Sequence, residues 1–533
     1  MLEIKPEERK SASILTSMLE KILEHCLGNH SIYIYFAEYY DDRCFRDIYS
    51  IYYASKHFAP PRTCSRFFLF DGGKIETIED ETNLNDAFIG TIVRRPLKGR
   101  EIGRTLVDPR YLYETKNNGD LKCNIWRNKY KITMFGIPLE VWAFPYSMQD
   151  GEVSTCAETT ILNIMDYYSH RYPDYKRIFP SDISKIVHAN SNVTNLPSRG
   201  LSYEMVSKVF LEYGFSPILY SAKNFKNKFA DILHSYVASG IPVALGINNG
   251  ENEEIGHSVI VIGTQARLID TDKENRIKAF KEAPILRLPD NSRDISHYLT
   301  LKGAIDSSYI IMDDGRAPYS SAKIYEDNGE VFLQYLPTDE EKWKIAIFAV
   351  PMGQEMAMDA DAAISCFRSL LVDDVFGYSD YIHRLKGLEE DEINLYEAGL
   401  EKNKPLMTRI FLCPSKRLKE QRIRSYEQNH DWKSLDLFQS VHLPRFIWVC
   451  ELYTEKSFSK DEPEYVGEII LDATTGTSSQ DDISNVVWVK YPWKCAYRKL
   501  NEDTEVLIKY MEAEVNANRE DRKPTTAYTF ELH

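Results

Sequence analysis

Apolar residues recur at helical spacing in three segments in the middle of the chain. In the first segment they fall on one face from Cys156 onward, and the preceding Ser and Thr are good helix starters. A second segment begins at Ser202 and stops at Gly214, and a third, over 227–240, stops at Gly240. The apolar positions of the first segment are Ala157, Ile161, Ile164, Met165 and Tyr168. The pattern predicts three amphipathic helices, with Cys156 at or near the start of the first.

Three later runs, "IPVALGI", "HSVIVIG" and "SYIIMDD", are almost wholly apolar and predict buried strands. Because helices come first and strands follow, the order indicates an α+β region rather than alternating β–α–β units. A charged segment at 264–306 separates the last two strands and is long enough to carry structure of its own. The flanking regions, 1–138 and 351–533, mix helical and strand-like patterns. We therefore expect three domains, with 139–350 in the centre.

Composition and charge narrow the function classes. The 533 residues carry a formal net charge of −15, which argues against a nucleic-acid binder, since phosphate binding needs clustered Lys and Arg. No stretch approaches the roughly 20 apolar residues of a membrane-spanning helix, and the charged N-terminus lacks a signal-peptide core. The nine cysteines are scattered without a Cys-x-x-Cys pair, so neither disulfides nor a metal site is indicated. The sequence predicts a cytoplasmic protein with free thiols.

A cysteine, a histidine, a pair of aspartates and a glutamine stand at positions that suit catalysis by a nucleophilic cysteine. Cys156 lies at a helix start, where exposed N–H groups and the helix dipole favour a thiolate. Such a site also needs a base and a group that orients the base. His257 stands where a polar loop becomes a buried strand, and Asp313 and Asp314 end the next strand. Gln149, in the loop before the helix, could join the Cys156 N–H as an oxyanion donor.

This order of residues resembles that of papain-like cysteine peptidases, and most of all the bacteriocin-processing (double-glycine leader) peptidases. Their pattern is a Gln shortly before a Cys that is followed by Ala or Gly, then a His that begins a strand, then an Asp that ends the next strand. The likeness covers about residues 140–320. It implies a papain-like core, in which a helix-start cysteine packs on an antiparallel sheet, flanked here by two further mixed α/β regions.

The resemblance implies a cysteine hydrolase that cleaves a peptide or isopeptide bond in a protein or peptide substrate, without a cofactor. It assigns the triad to Cys156, His257 and Asp313, with Gln149 beside the oxyanion. Asp314 is the alternative third residue; Asp313 is preferred because it directly continues the strand. Two other functions stay open, namely an acyltransferase with the same triad and a non-catalytic papain-like binding module. The insertion at 264–306 is expected to form a flap beside the cleft or an added hairpin and helix behind the sheet.

Overall fold

The computed structural model divides the chain into two units of mixed helices and antiparallel sheets. It describes residues 6–26, 31–74, 81–112, 123–189, 196–249, 256–265, 308–336, 341–372, 407–428, 430–453, 465, 467–476, 482–491, 494–500 and 506–512. The first unit holds the described residues of 1–226, 240–265 and 308–353, and the second holds those of 227–239 and 354–533. The three-domain division stays a prediction. Apart from its first two residues, the insertion at 264–306 lies outside the described residues.

The first unit contains most of the elements that the sequence pattern predicts. Its helices are α1 (Pro6–His25), α2 (Arg43–Ile51), α3 (Glu81–Ala87), α4 (Cys156–Arg171), α5 (Pro180–Val187), α6 (Tyr203–Glu212) and α7 (Ala222–Phe225). Its strands are β1 (Ile32–Tyr40), β2 (Cys64–Asp71), β3 (Phe88–Arg94), β4 (Ile102–Val107), β5 (Cys123–Ile125), β6 (Asn128–Met134), β7 (Ile137–Ala143), β8 (Phe215–Ser221), β9 (Val243–Asn248), β10 (Gly256–Gln265), β11 (Ser308–Met312), β12 (Ser320–Asp327), β13 (Glu330–Tyr335) and β14 (Trp343–Gly353). The helix predicted after Ser202 is confirmed, because the Ser202 side chain accepts the Met205 N–H and Gly214 follows the helix at a φ of +87°.

Strands β1 to β4 form an antiparallel sheet in that order, and β6 and β7 form a separate hairpin. The sheet and the hairpin share one apolar core. Its buried residues are Phe68, Phe70, Leu84, Ala87, Phe88, Leu106, Tyr130, Ile132, Met134, Leu139, Val141 and Ala143. The hairpin leads into the loop before Cys156, so this core fixes one end of that loop.

Six further strands close into an antiparallel barrel. They follow the order β11-β12-β13-β14-β9-β10, and β10 pairs again with β11; β8 joins β14, and β5 joins β10. The closing pair changes register between Val261 and Gly263. Gly263 also lies so close to β5 that an added Cβ would be 2.1 Å from the Asn124 carbonyl oxygen.

The expected papain-like core flanked by two mixed α/β regions is therefore wrong: the chain has a closed six-stranded barrel and several separate sheets. The strands were predicted from their apolar runs, and such runs do not distinguish between the two architectures. Nearly continuous apolar runs are buried equally well in an open sheet and in a closed barrel. Closure depends on strand tilt and on a staggered register, and here it also uses a local irregularity in β10. No residue pattern within one strand encodes that long-range pairing.

The second unit is built on one six-stranded antiparallel sheet, β15 to β20 in sequence order. Its helices are α8 (Phe229–Ala238), α9 (Ala360–Val372), α10 (Ser415–Gln428) and α11 (Trp432–Ser440). Its strands are β15 (Met407–Pro414), β16 (Phe446–Tyr453), β17 (Gly467–Asp472), β18 (Val486–Tyr491), β19 (Lys494–Leu500) and β20 (Val506–Glu512). Across the described parts of both units, no helix combines the length and the apolar character needed to cross a membrane.

A fully buried ion cluster lies between α10 and the sheet of the second unit. The Arg422 guanidinium donates to Glu451 at 2.7 Å and to Glu468 at 2.9 Å, and all three side chains are sealed from solvent. The Tyr453 hydroxyl donates to the other oxygen of Glu451 at 2.7 Å, and the Trp488 indole donates to Glu468 at 3.2 Å. These bonds compensate the cost of burying charge, so the cluster fixes how α10 sits on the sheet.

Candidate active site

Cys156 is the first residue of α4, and the helix start is held by a capping box. The Glu158 carboxylate accepts the backbone N–H of Thr155 at 3.1 Å and also the Thr155 hydroxyl. The Ser198 hydroxyl donates to the same carboxylate at 2.5 Å. The first N–H groups of a helix have no partner within the helix, so Cys156 stands beside free donors at the positive end of the helix dipole.

The loop before α4 is organised around the buried carboxylate of Asp150. One of its oxygens accepts the backbone N–H groups of Glu152, Val153 and Ser154 at 2.7, 2.7 and 3.1 Å. Gly151 makes the turn at a φ of +79°, a conformation that glycine adopts at little cost. The loop that carries Gln149 is thereby fixed to the start of the helix.

His257 lies at the start of β10, which α4 contacts directly. The Thr160 hydroxyl of α4 donates to the Ser258 carbonyl at 3.4 Å. This contact sets the first turn of α4 beside the first residues of β10. The Cys156 side chain lies close enough to His257 to help raise the pKa of the imidazole.

The other side of the His257 ring faces Asp313, the residue that follows β11. The Nε2–H of His257 donates to Asp313 Oδ1 at 2.8 Å, because an ionised carboxylate can only accept. That bond leaves Nδ1 as the ring nitrogen for the Cys156 thiol. The structure thus brings together the three residues of the predicted triad, in the order thiol, imidazole and carboxylate.

Two further hydrogen-bond donors and one cation hold the Asp313 carboxylate. Its Oδ1 accepts the Gly315 N–H at 2.7 Å, and its Oδ2 accepts the Tyr335 hydroxyl at 2.6 Å and lies 3.7 Å from Arg316 Nε. Burial would raise the pKa of Asp313, but the hydrogen bond and charge of His257, together with Tyr335 and Gly315, lower it to about 2. The carboxylate is therefore ionised at neutral pH and available to orient the imidazole.

Asp314 has a different environment. Both of its oxygens are buried and lack a hydrogen bond of good geometry within the described residues, and Oδ1 is 3.5 Å from His257 Nε2. Burial and the neighbouring Asp313 charge raise its pKa to about 6, although His257, Lys10 and the Gln149 backbone N–H act in the opposite direction. Of the two acids, Asp313 makes the shorter bond to the ring.

The pKa of His257 depends on all of these groups. Burial alone would lower its pKa, whereas hydrogen bonds to Asp313 and Cys156 and the charges of Asp313 and Asp314 raise it well above its ordinary value. An imidazolium is therefore stabilised beside the thiol. The indole ring of Trp343 lies 6.4 Å from the imidazole, centroid to centroid.

Gln149 lies half-buried in the loop before α4, and its backbone N–H acts to lower the pKa of Asp314. The side-chain amide as an oxyanion donor stays a prediction.

Sequence reasoning missed two tyrosines at this site. Tyr335, on β13, has no motif around it and reaches Asp313 across the pairing of β11 with β12 and of β12 with β13. Tyr203, the first residue of α6, has its hydroxyl 3.4 Å from Ser258 Oγ, and burial, with the Cys156 charge acting in the same direction, raises its pKa. An added Cβ at Gly246 would be 2.8 Å from the Tyr203 ring, so a glycine in an otherwise apolar strand is the one signal that pointed to a close neighbour.

His257, Asp313 and Asp314 could also hold a metal ion, since one ligand atom from each lies within 4.8 Å of the others. The donor set fits such an ion poorly. Tyr335 and Gly315 aim hydrogens at the Asp313 oxygens, and a cation there would have to displace them. The arrangement fits a hydrogen-bonded triad better than a coordination site.

Comparison with protein-family models and with curated proteins finds no match to this chain.

Proposed function

We propose that the chain is a cysteine hydrolase that cleaves a peptide or isopeptide bond through Cys156, His257 and Asp313. The observation that carries the proposal is the position of His257, which is hydrogen-bonded to Asp313 at 2.8 Å and whose pKa is also raised by the neighbouring Cys156 side chain. One neighbour of His257 is a half-exposed thiol at a helix start, and the other is a buried carboxylate that three further groups hold. A histidine with a purely structural role would not require this combination.

The first half of the reaction forms an acyl-enzyme. His257 Nδ1 takes the proton of the Cys156 thiol, and the thiolate attacks the substrate carbonyl carbon. The resulting oxyanion is held by the backbone N–H of Cys156 and, in this proposal, by the Gln149 side-chain amide. The His257 imidazolium then gives its proton to the leaving amine as the C–N bond breaks, which leaves a thioester on Cys156.

The second half releases the acyl group. His257 removes a proton from water, the hydroxide attacks the thioester, and the sulfur leaves as a thiolate that recovers its proton from the imidazolium. Asp313 stays ionised throughout and keeps the ring in the tautomer with hydrogen on Nε2. None of these steps needs a metal or an organic cofactor.

The test is to incubate the purified chain with an activated peptide ester and follow both product release and the intact mass. We expect a transient acyl adduct on Cys156 that disappears as free acid is released. Cys156→Ala should remove both signals. Cys44→Ala is the matched control, because Cys44 is a free cysteine of α2 in the same unit, and it should leave both signals unchanged.

Two outcomes would replace the proposal. Release of the acyl group only when an amine acceptor is added would indicate an acyltransferase. Absence of any adduct on Cys156 in folded protein, with the peptide still bound, would indicate a binding module.

A further inference from the structure

Strand β1 forms the outer edge of the N-terminal sheet. It pairs with β2 along one side, and in the described part of the chain no strand pairs with its other side. The Ser31 carbonyl, just before the strand, accepts the Gly72 N–H at 3.1 Å, so Ser31 faces β2. Because hydrogen-bonding direction alternates along a strand, the backbone groups of Ile34 and Phe36 point outward, away from β2.

The side chains of this edge are apolar and exposed to an unusual degree. Tyr39 is 76% exposed, Tyr33 55%, and Ile34 and Phe36 47% each. Phe135, on the β6–β7 turn, is 77% exposed and stacks edge-on against Tyr35 with ring centroids 5.0 Å apart. Proteins usually protect a free edge with Lys, Pro or inward-pointing charges, whereas "IYIYFAEYY" contains neither Lys nor Pro and carries a single charge, Glu38.

We propose that β1 pairs antiparallel with β1 of a second copy of this chain, so that two four-stranded sheets join into one of eight strands. A twofold axis at Phe36 sets Phe36 against itself, in a hydrogen-bonded pair that uses its outward backbone groups. The same register sets Tyr33 against Tyr39, and such cross-strand aromatic pairs stabilise a sheet. It sets Glu38 against Ile34, so the one charge of the strand does not meet its own copy.

The available area suits a dimer. Aromatic side chains bury about 150–250 Å² each, so the exposed parts of the β1 side chains and Phe135 amount to roughly 600 Å² per copy. Stable complexes bury about 800 Å² per partner, and the outward backbone edge adds to the side-chain area. A second copy supplies the same aromatic surface, and its one strand charge, Glu38, lies opposite Ile34 and not opposite another charge.

The test is the mass of the purified full chain by light scattering over a wide range of concentration. We expect a dimer for the natural sequence and a monomer for Phe36→Lys, which adds a charge, and for Phe36→Pro, which removes the outward N–H but no bond to β2. Phe58→Lys is the matched control, because Phe58 is 88% exposed and is not part of β1, and it should stay a dimer.

A second measurement keeps the proposal testable if those variants fold poorly. Opposed residues of a hydrogen-bonded pair have Cα atoms about 5.5 Å apart, within the range that a disulfide spans. Phe36→Cys should therefore give a disulfide-linked dimer under mild oxidation, and Phe58→Cys should not. A monomer at every concentration, or a dimer that survives Phe36→Pro and does not crosslink through residue 36, would overturn the proposal.

Discussion

The hydroxyl of Tyr335 donates a 2.6 Å hydrogen bond to Oδ2 of Asp313, whose Oδ1 accepts from His257. Tyr335 is thus a positioning residue, since it acts on the imidazole only through the carboxylate. The Arg316 guanidinium lies over the Tyr335 ring at 3.9 Å and limits its movement. The alignment of the proposed base therefore depends on a strand that contributes nothing else to the site.

Tyr335→Phe should lower kcat about tenfold and leave KM nearly unchanged, because one hydrogen bond to the charged orienting carboxylate, of about 1.5 kcal/mol, is lost. Steady-state kinetics with a peptide ester checks this. Tyr325→Phe, on the neighbouring strand β12, is the control and should have full activity. An equal loss in both variants would mean that the effect is general destabilisation of the barrel.

Asp313→Asn should cost far more activity than Asp314→Asn. Asp313 holds the Nε2–H of His257 at 2.8 Å, whereas Asp314 stands at 3.5 Å. An amide at 313 can present N–H to the ring and favour the wrong tautomer, which costs on the order of 10²–10⁴ in kcat. The two variants are compared under single-turnover conditions. A larger loss of activity in Asp314→Asn would indicate that Asp314 is the third residue of the triad.

Asp314 should make the folded state less stable as pH rises. Its pKa is raised to about 6 in the folded chain, against about 3.9 when unfolded. Between these values the folded state holds the extra proton, so stability falls with increasing pH across that window. The full cost, on the order of 3 kcal/mol, applies above about pH 6.

Asp314→Asn should therefore be more stable than the natural chain above pH 6 and lose this advantage near pH 4, as urea unfolding at a series of pH values would show. Asp313→Asn is the opposed control. Its pKa is lowered to about 2, so the natural carboxylate stabilises the fold above about pH 4 and loses that contribution as pH falls toward 2. If the difference in stability between Asp314→Asn and the natural chain did not depend on pH, the raised pKa of Asp314 would be refuted.

Arg422→Met should destabilise the second unit by about 3–5 kcal/mol, because it leaves Glu468 buried without its cation and Glu451 with Arg409 alone, at 3.2 Å. Denaturant unfolding followed by tryptophan fluorescence is a direct measure, since Trp488 donates to Glu468. Arg445→Met removes the exposed ion pair with Glu355 and should change stability by less than about 1 kcal/mol. Equal effects would show that the buried cluster contributes no more than a surface pair.

Local patterns predicted the elements of the central region well. The α4 and α6 helices have a clear apolar face and good starting residues, and β9, β10 and β11 are short apolar runs. The placement of Cys156 at a helix start and of His257 at a strand start follows from those elements alone. That Cys156 and His257 lie close together did not follow from these elements. It was expected from the resemblance to papain-like peptidases.

What the sequence did not reveal is non-local. Closure of the barrel rests on pairing of β10 with β11, which residues 266–307 separate in the chain, and on the register change at Val261–Gly263. Tyr335 comes to Asp313 across two strand pairings, β11 with β12 and β12 with β13, and Tyr203 comes to Ser258 from a different helix. Tyrosine has no motif that distinguishes a carboxylate donor from an ordinary core residue, so neither contact has a signature in one sequence.

The central claim is that Cys156 and His257 act as a pair, and the rate of Cys156 alkylation as a function of pH tests it most directly. Mapping by mass spectrometry provides an internal control, because burial raises the pKa of the Cys44 thiol to about 12 and Cys44 should stay unmodified. We predict rapid alkylation of Cys156 at about pH 6, well below the range in which free thiols ionise, and loss of that reactivity in His257→Ala. Slow alkylation at pH 6 with a pH profile that is identical in the two proteins would contradict the account.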